Sequence, residues 1–554
     1  MGINLYKTIL INSLFISLIL GNEINYQSIK YKVDDAASLA INKNISTSHL
    51  KIYLPSIPYS YIMRLINGTL VRLNSSSKGW EYFLAKKHEK INPLTYDFWL
   101  REDVKFQDGT LFDADSVIEN FKFFKKGAFT YTDIHHKLKF VEKLAKYKIR
   151  IHLNKPYGML LNDLARINLY TSKYLKKYAW KNNIVGDNTK APGPYGSGPY
   201  ILTSGYATGL KQSEKIILKA NPYYFEKGKP YIQTITIFTK LPIEDVIYMI
   251  SEEEGKLDIA VIPMDKKTEI VNSTYAKLIS TESSFNLSIH MNLINPLSKL
   301  QNIEIREALN QALDQQKLIK FAYKNEGTMS PFLLSSNSFY AKGISQEYIK
   351  TPKVFFPEVK LKKLLNGLHL KVITQDRFLS LWKGIEYQLN SYGVVLDYDI
   401  TTDETYVLNK LLTNRKNAYD WDLLIWGNGD WYGHPWTAFF TLYTKNQWSA
   451  IKTDIVLDKK IEKFFEIDMN SSEFQLAVND ILEYTYQKAY MLSIPSPNIL
   501  LAMNKEVSFI PSSVAILRLW EAKVTPYHWS VRGDKKLPKE RQMYIFPKRI
   551  NYDE

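Results

Sequence analysis

The chain of 554 residues contains no cysteine. This absence excludes disulfide bonds, thiolate metal sites and a cysteine nucleophile. It also excludes a lipid-modified cysteine behind an export signal, which an exported protein of a single-membrane bacterium normally needs in order to stay attached. If the chain is exported, a soluble protein held between two membranes therefore fits better.

Local catalytic signatures are absent as well. The sequence has no HExxH, no GxSxG, no phosphate-binding GxxxxGK and no GxGxxG after a predicted strand. The nine histidines allow a catalytic triad assembled in space, but no local pattern supports one. We therefore expect a binding protein rather than an enzyme, and we expect no cofactor.

The sequence lacks the clustered positive charge of a nucleic-acid-binding protein. Its formal net charge is +16, but the lysines are scattered along the whole chain. No segment resembles a basic arm, a zinc finger or an aromatic RNA-binding strand. A solvated basic surface explains this charge, and we expect no nucleic-acid partner.

Long apolar runs are lacking except at the N-terminus, where Lys7 precedes an apolar stretch from Thr8 to Leu20. This pattern predicts a secretory signal peptide over residues 1–21 and export to the periplasm without a lipid anchor. Ile19 stands where a signal peptidase usually requires a small residue if cleavage follows Gly21. An uncleaved membrane anchor is therefore the alternative.

A chain of this length exceeds what a single core usually supports, so two or more domains with a cleft between them are expected. Predicted strands and helices alternate, which favours a mixed α/β architecture with open sheets. Residues 368–401 predict a strand-helix-strand unit, and residues 305–323 predict one amphipathic helix. Asp113 or Asp115 is expected to cap a helix that follows it.

One segment, residues 96–124, has the spacing F-x-L-R-x-x-V-x-F-x-D-G-x-x-x-x-A-x-D-V, with Ser116 in place of the last Asp. In this spacing it resembles the periplasmic dipeptide/oligopeptide-binding proteins, the extracellular solute-binding family that serves peptide and nickel ABC transporters. Nine residues match the family pattern: Phe98, Leu100, Arg101, Val104, Phe106, Asp108, Gly109, Ala114 and Val117.

The resemblance continues along most of the chain. Residues 196–237 are similar to the family's G-T-G-P-Y and N-x-x-Y segments, and residues 256–263 to the segment leading toward the crossing between domains. Residues 290–320 are similar to its V-R-x-A-L-x-x-A-I-D-R helix. There Arg306 and Asp314 are expected to fix a helix to its sheet.

The resemblance implies an α/β fold of two lobes, the type II periplasmic-binding-protein fold of the large peptide-binding class, with a discontinuous first lobe and a hinge cleft. The expected parts are a first lobe (22–70 and 190–285), its subdomain (71–189), a second lobe (286–504) and a return with a tail (505–554). The implied function is a monomeric receptor that delivers short peptides to an inner-membrane ABC permease.

Residues 421–440 place four tryptophans five residues apart, a spacing that matches neither a strand nor a helix. The family carries D-Y-x-D-P in the corresponding loop, and its first Asp pairs with the ligand's α-ammonium group. Asp430 is the candidate for this role, the alternative being a solvated or capping Asp. The spacing from Asp430 to Pro435 is one residue longer than in the family. If Tyr432 aligns with the family Tyr, Trp431 takes the acid's place and no amine anchor remains.

Other candidate ligand contacts surround this loop. Trp431 and Tyr432 could form cleft walls, whereas Trp421 is expected in the core. A ligand-contacting role is weighed against packing or surface exposure for a further group: Tyr59, Ser60, Tyr61, Trp426 and Trp520.

A metal-chelate receptor of the same family is the alternative function. His434 stands where the family has its second acid, and His135 and His136 form an adjacent pair, so these three are the candidate metal ligands. Adjacent histidines point in different directions on any regular element, however, and scattered histidines do not by themselves form a coordination sphere. A retained candidate acid favours the peptide interpretation.

Overall fold

The computed structural model describes residues 48–55, 58–73, 80–124, 134–178, 191–208, 211–350, 356–412, 420–428, 434–508, 517–538 and 548–550. The predicted signal peptide and the candidates Asp430, Trp431 and Tyr432 lie outside these residues. Within the described ranges, no helix is both long enough and apolar enough to cross a membrane.

The first lobe is built on an eight-stranded mixed sheet. Its central strand, His49–Tyr53, is largely buried and pairs in parallel with a strand on each side. In spatial order the strands are Lys548–Ile550, Ala276–Thr281, Ile499–Asn504, Ile259–Val261, His49–Tyr53, Thr234–Phe238, Lys215–Ala220 and Tyr200–Ser204.

The second lobe is built on a five-stranded sheet. The predicted strand-helix-strand unit is present, because the helix Leu379–Asn390 joins two strands that pair in parallel. In spatial order the strands are Val395–Thr401, His369–Gln375, Leu423–Asn428, Asn286–Met291 and Met491–Leu492. The architecture is thus the predicted mixed α/β arrangement of two lobes.

The chain enters the second lobe after Thr281 and returns in the strand Ile499–Asn504. This strand pairs antiparallel with Ala276–Thr281 in the first-lobe sheet, although the predicted second lobe extends to residue 504. The first lobe is therefore discontinuous, and the return begins a few residues earlier than expected.

The first lobe carries a four-stranded antiparallel subdomain packed against the helix Ala114–Phe124. Asp113 caps this helix, because its Oδ1 accepts the Ser116 N–H at 3.1 Å while Ser116 Oγ accepts the Asp113 N–H at 3.1 Å. The reciprocal bonds give Ser116, the departure from the family pattern, a local role. In spatial order the strands are Ala85–Asn92, Thr95–Leu100, Lys148–Leu153 and Leu138–Ala145.

The remaining helices surround the three sheets. In the first lobe and its subdomain they are Pro58–Ile66, Ile134–Lys137, Leu160–Leu164, Ser172–Tyr178, Ile243–Ser251, Lys267–Val271 and Trp529–Arg532. In the second lobe they are Ile303–Gln311, Gln315–Ala322, Lys342–Lys350, Glu358–Leu365, Glu404–Leu412, Trp436–Leu442, Ile455–Phe464 and Ser472–Gln487. The minor strand pairs are Val71–Leu73 with Trp80–Tyr82, Ala207–Thr208 with Lys211–Gln212, Gly327–Thr328 with Ser496–Pro497, and Val507–Ser508 with Lys523–Val524.

The single helix expected over residues 305–323 is instead two helices, Ile303–Gln311 and Gln315–Ala322. The break occurs because Asp314 is the N-cap of the second helix, where its Oδ1 accepts the Lys317 N–H at 3.1 Å. An Asp inside a periodic apolar pattern therefore starts a helix here.

Arg306 holds the first of these two helices to its neighbours. Its guanidinium group is buried and donates to the carbonyl oxygens of Lys488 (2.8 Å), Ala489 (3.1 Å) and Leu300 (2.8 Å). Lys488 and Ala489 follow the helix Ser472–Gln487, so the cation also lies at the negative end of that helix. Arg306 therefore fixes helix to helix, whereas the sequence predicted helix to sheet.

Replacing Arg306 by Leu should destabilise the protein by about 2–4 kcal/mol, because several buried carbonyl groups would lose their donor. Urea unfolding followed by tryptophan fluorescence measures this loss. Lys317→Ala, at an exposed position of the next helix, is the control and should shift the free energy of unfolding by less than about 0.5 kcal/mol. Equal stability of Arg306→Leu and the wild type would contradict the assigned role.

Candidate functional site

The central strands of the two lobes locate the candidate cleft. His49–Tyr53 lies in the middle of the first-lobe sheet and Leu423–Asn428 in the middle of the second-lobe sheet. In open α/β sheets, ligands bind outside the carboxyl ends of such strands. After the first of these strands the backbone of Tyr59, Ser60 and Tyr61 forms the first turn of the helix Pro58–Ile66. The side chains of these three residues lie outside the described part of the structure.

The tryptophans at 421 and 426 have different environments. Trp421 is 1% exposed and packs in a small cluster with Leu424 and Trp448, as expected for a core residue. Trp426 is half-buried near the carboxyl end of the central strand, with its ring centroid 6.2 Å from that of Trp448. Phe440 lies 6.1 Å from Trp448. Trp426 and Phe440, both half-buried, thus pack on the buried ring of Trp448, and these three residues form an aromatic wall on the second lobe.

Trp448 and Phe440 were not among the predicted site residues. They belong to the apolar segments 436–442 and 448–451 and carry no spacing signal that relates them to Trp426. Only the folded chain brings them together, so the sequence alone could not identify this wall.

His434 is a buried packing residue. It is 2% exposed, and its ring lies between Phe464 (5.2 Å between centroids) and Phe474 (5.0 Å). Its Nδ1 accepts the Trp436 N–H at 3.1 Å, where the helix Trp436–Leu442 begins. Burial lowers the pKa of His434 to about 3, which keeps the imidazole neutral. The structure thus gives His434 a capping and packing role in place of the predicted ligand contact.

Trp520 belongs to the first-lobe core. It is 5% exposed, and its ring lies 5.7 Å from the Arg72 guanidinium carbon and 5.4 Å from that of Arg518. Both arginines contact the Glu81 carboxylate, at 2.5 Å for Arg72 and 3.8 Å for Arg518. These contacts secure the C-terminal return against the strand pair that follows the first helix. Of the two alternatives for Trp520, cleft or core, its burial favours the core.

The pair His135 and His136 lies on the short helix Ile134–Lys137 of the subdomain, with ring centroids 4.0 Å apart. His136 is exposed and His135 half-buried. Within the described ranges, no group of three or more His, Asp or Glu side chains is placed to hold a metal ion. The structure therefore does not unite this pair with His434.

Comparison with known proteins gives the family. The sequence model described as "Bacterial extracellular solute-binding proteins, family 5 Middle" matches residues 80–450, more than half of the chain. The chain belongs to this family. The resemblance predicted from its motifs is thereby confirmed, and the members of this family are binding proteins.

The names of similar proteins specify different ligands. The nickel-binding protein NikA of Staphylococcus aureus is 27% identical over 318 residues, which cover 56% of this chain and 58% of that protein. The chain thus aligns with little more than half the length of this relative. A NikA from Brucella suis, solved with Fe(III)-EDTA, superposes with a TM-score of 0.71 at 17% identity, covering 86% of this chain and 99% of that one. AppA from Bacillus subtilis, solved with a nonapeptide, gives a TM-score of 0.68 at 17% identity, covering 86% and 98%. These structural likenesses confirm the two-lobed fold.

The buried histidines predict an acid-sensitive fold. Burial lowers the pKa of His290, on the strand Asn286–Met291 of the second-lobe sheet, to about 4, and that of His434 to about 3. Below pH 6.5 these two histidines become protonated in the unfolded chain but stay neutral in the folded protein. Stability is therefore complete above this pH and falls toward pH 4, by about 1.4 kcal/mol per pH unit for each histidine.

His434→Gln should reduce this pH dependence, since glutamine does not titrate between pH 6.5 and 4. Urea unfolding at several pH values measures it, and the exposed His136→Gln serves as the control. An unchanged difference in stability between pH 7 and pH 4.5 in His434→Gln would show that His434 is not buried in its neutral form.

Proposed function

We propose that the protein is the periplasmic substrate-binding receptor of an ABC importer and captures short peptides between its lobes. The observation that carries this proposal is the connection of the two sheets. The chain crosses after Thr281 and returns before Ile499, so within the described residues two chain segments join the second lobe to the first. Two such connections form a hinge, and a hinge permits a cleft to open and close.

The cleft is expected to serve a binding function rather than catalysis. The half-buried Trp426 and Phe440 of the aromatic wall offer apolar surface for ligand side chains. Peptide backbones can pair with loop amides and sheet edges regardless of sequence, while hydrated pockets accept varied side chains. We expect a monomer without cofactor that passes its ligand to an inner-membrane permease.

Asp430 remains the proposed anchor for the peptide's ammonium group. A carboxylate in an aromatic cleft pairs strongly with a cation because water screens the pair poorly there. Trp431 and Tyr432 remain proposed cleft walls, together with Tyr59, Ser60 and Tyr61 across the cleft.

Capture of a metal chelate is the second candidate. The similarity to nickel-binding proteins favours it. The buried, capping position of His434 and the placement of His135 and His136 in the subdomain count against direct coordination by these histidines. A chelate for this receptor would therefore bring most of its own metal ligands.

Native mass spectrometry of the mature protein from a periplasmic extract separates the two candidates. We expect a heterogeneous series of bound peptide masses, because a receptor that recognises the backbone accepts many sequences. Asp430→Ala should lose most of this series, since removing a buried ion-pair partner costs about 3–5 kcal/mol. Asp397→Ala, at an exposed site on an edge strand, is the matched control and should keep the series.

A single adduct with a metal isotope pattern would overturn peptide capture and support the chelate. Retention of the peptide series in Asp430→Ala would leave peptide capture standing and remove Asp430 as its anchor. Absence of any adduct after periplasmic extraction, together with no thermal shift on adding a tryptic digest of casein, would contradict the receptor proposal itself.

A further inference from the structure

A turn of the second lobe lies directly against the subdomain of the first. The turn Phe465–Asp468 follows the helix Ile455–Phe464. The Phe465 carbonyl oxygen accepts the Gly158 N–H at 2.9 Å, a backbone bond between residues of different lobes. The Phe465 side chain packs against hydrophobic clusters of both lobes.

Gly158 is required for this close approach. A Cβ atom at position 158 would lie 2.1 Å from the Ile467 carbonyl oxygen and 2.8 Å from its carbon. These are backbone atoms, so no side-chain rotation relieves the overlap. Gly158 does not have a positive φ, so its backbone conformation does not require glycine. The three atoms nearest to an added Cβ all belong to the second lobe, so the absence of a side chain at this position serves the contact between lobes.

Trp436 adds an apolar anchor to the same contact. It lies on the second lobe, yet it is 6% exposed and belongs to the continuous hydrophobic cluster of the first-lobe core. Its ring meets that of Phe465 edge to face, with centroids 4.2 Å apart. The hydrogen bond from its N–H to His434 Nδ1 fixes the start of its helix. His434 therefore positions Trp436.

Polar groups at the edge of the contact contribute less to it than the apolar side chains do. Asp468 Oδ2 lies 3.9 Å from Lys90 Nζ, and both side chains are about half exposed, so this ion pair contributes little. The Asp468 carboxylate also lies close enough to Tyr96 to reinforce the effect of burial, which raises the pKa of that phenol to about 12. The turn thus approaches the strands Ala85–Asn92 and Thr95–Leu100 of the subdomain at Lys90 and Tyr96.

We propose that Trp436 and the turn Phe465–Asp468 form a latch that holds the second lobe on the subdomain when the receptor closes, and that Gly158 is the position on which the latch seats. This inference rests on the proposed function, because closure has a purpose only in a receptor. It adds a determinant of affinity that lies outside the ligand cleft. The larger the latched fraction of molecules, the more tightly the ligand is bound. Trp436, the last of the four tryptophans spaced five residues apart, thereby acquires a role.

The absence of cysteine permits a direct test by pulsed electron–electron spin resonance. Spin labels on Lys122→Cys, exposed on the subdomain helix, and Leu476→Cys, 69% exposed on the second lobe, report the distance between lobes. In the latched state the distances form a short population, and unlatching lengthens them. We compare three backgrounds, namely the otherwise unaltered protein, Gly158→Ala and Gly343→Ala. Each is measured without ligand and with a tryptic digest of casein.

Gly343→Ala is the matched control because a Cβ there has nothing within 4 Å. The latch predicts that Gly158→Ala loses the short-distance population and binds peptides about tenfold or more weakly, while thermal unfolding of each variant remains cooperative. Gly343→Ala should retain wild-type distances and affinity. Trp436→Leu, which keeps an apolar side chain but removes the ring, should give a smaller loss of the same kind.

Equal short-distance populations in Gly158→Ala and the wild type under both conditions would overturn the latch. So would a single distance in the wild type that does not change although peptides bind, since the contact would then be permanent. If peptides bind both proteins equally, the latch fails and the receptor function stands. If peptides do not bind the wild type but Gly158→Ala alone loses the short distances, the latch stands and the peptide function fails.

Discussion

The pairing of Ala276–Thr281 with Ile499–Asn504 is the interaction on which the rest of the molecule depends. Six residue pairs join these antiparallel strands, although more than two hundred residues separate them in the chain. Everything between them forms the second lobe, which is thereby an insertion into the first-lobe sheet. Both connections between the lobes pass through neighbouring strands, so the two lobes share one narrow hinge axis. We expect rotation about this axis to change the width of the cleft while the packing of each core stays the same.

A buried polar cluster braces this axis. The Glu326 carboxylate accepts hydrogen bonds from Ser280 Oγ at 2.5 Å and from Asn498 Nδ2 at 3.2 Å, and it pairs with Lys267 of the first lobe. A buried carboxylate is tolerated because each of these groups compensates its lost hydration. The cluster thus joins the outgoing strand, the returning segment and a first-lobe helix, while the contact of Gly158 with Phe465 lies in the subdomain.

The sequence predicts the parts of this structure that depend on local pattern. The alternation of strand and helix patterns predicted the mixed α/β architecture. Asp113, one of the two predicted caps, marked a helix start whose two hydrogen bonds with Ser116 lie within four residues. The family motif implied the discontinuous first lobe. The helix break at Asp314 was not predicted, because the apolar period continues across it and only the cap geometry reveals the end.

The candidate site was less predictable, because its residues meet across long stretches of chain. Nothing near Trp436 indicates that its ring reaches the core of the other lobe. Similarly, the burial of His434 depends on Phe464 and Phe474, some thirty to forty residues away. Its place in the motif suggested a ligand contact, whereas its surroundings make it a neutral cap. Gly158 carried no signal, since the atoms that exclude a side chain there belong to the second lobe.

Small-angle X-ray scattering tests the central claim, that the two lobes close on a peptide, most directly. The protein would be freed of bound ligand by unfolding and refolding, then measured alone and with a saturating tryptic digest of casein. The account predicts a smaller radius of gyration and a shorter maximum dimension with peptides, at unchanged molecular mass. Identical scattering under both conditions, in protein that refolds fully, would contradict it.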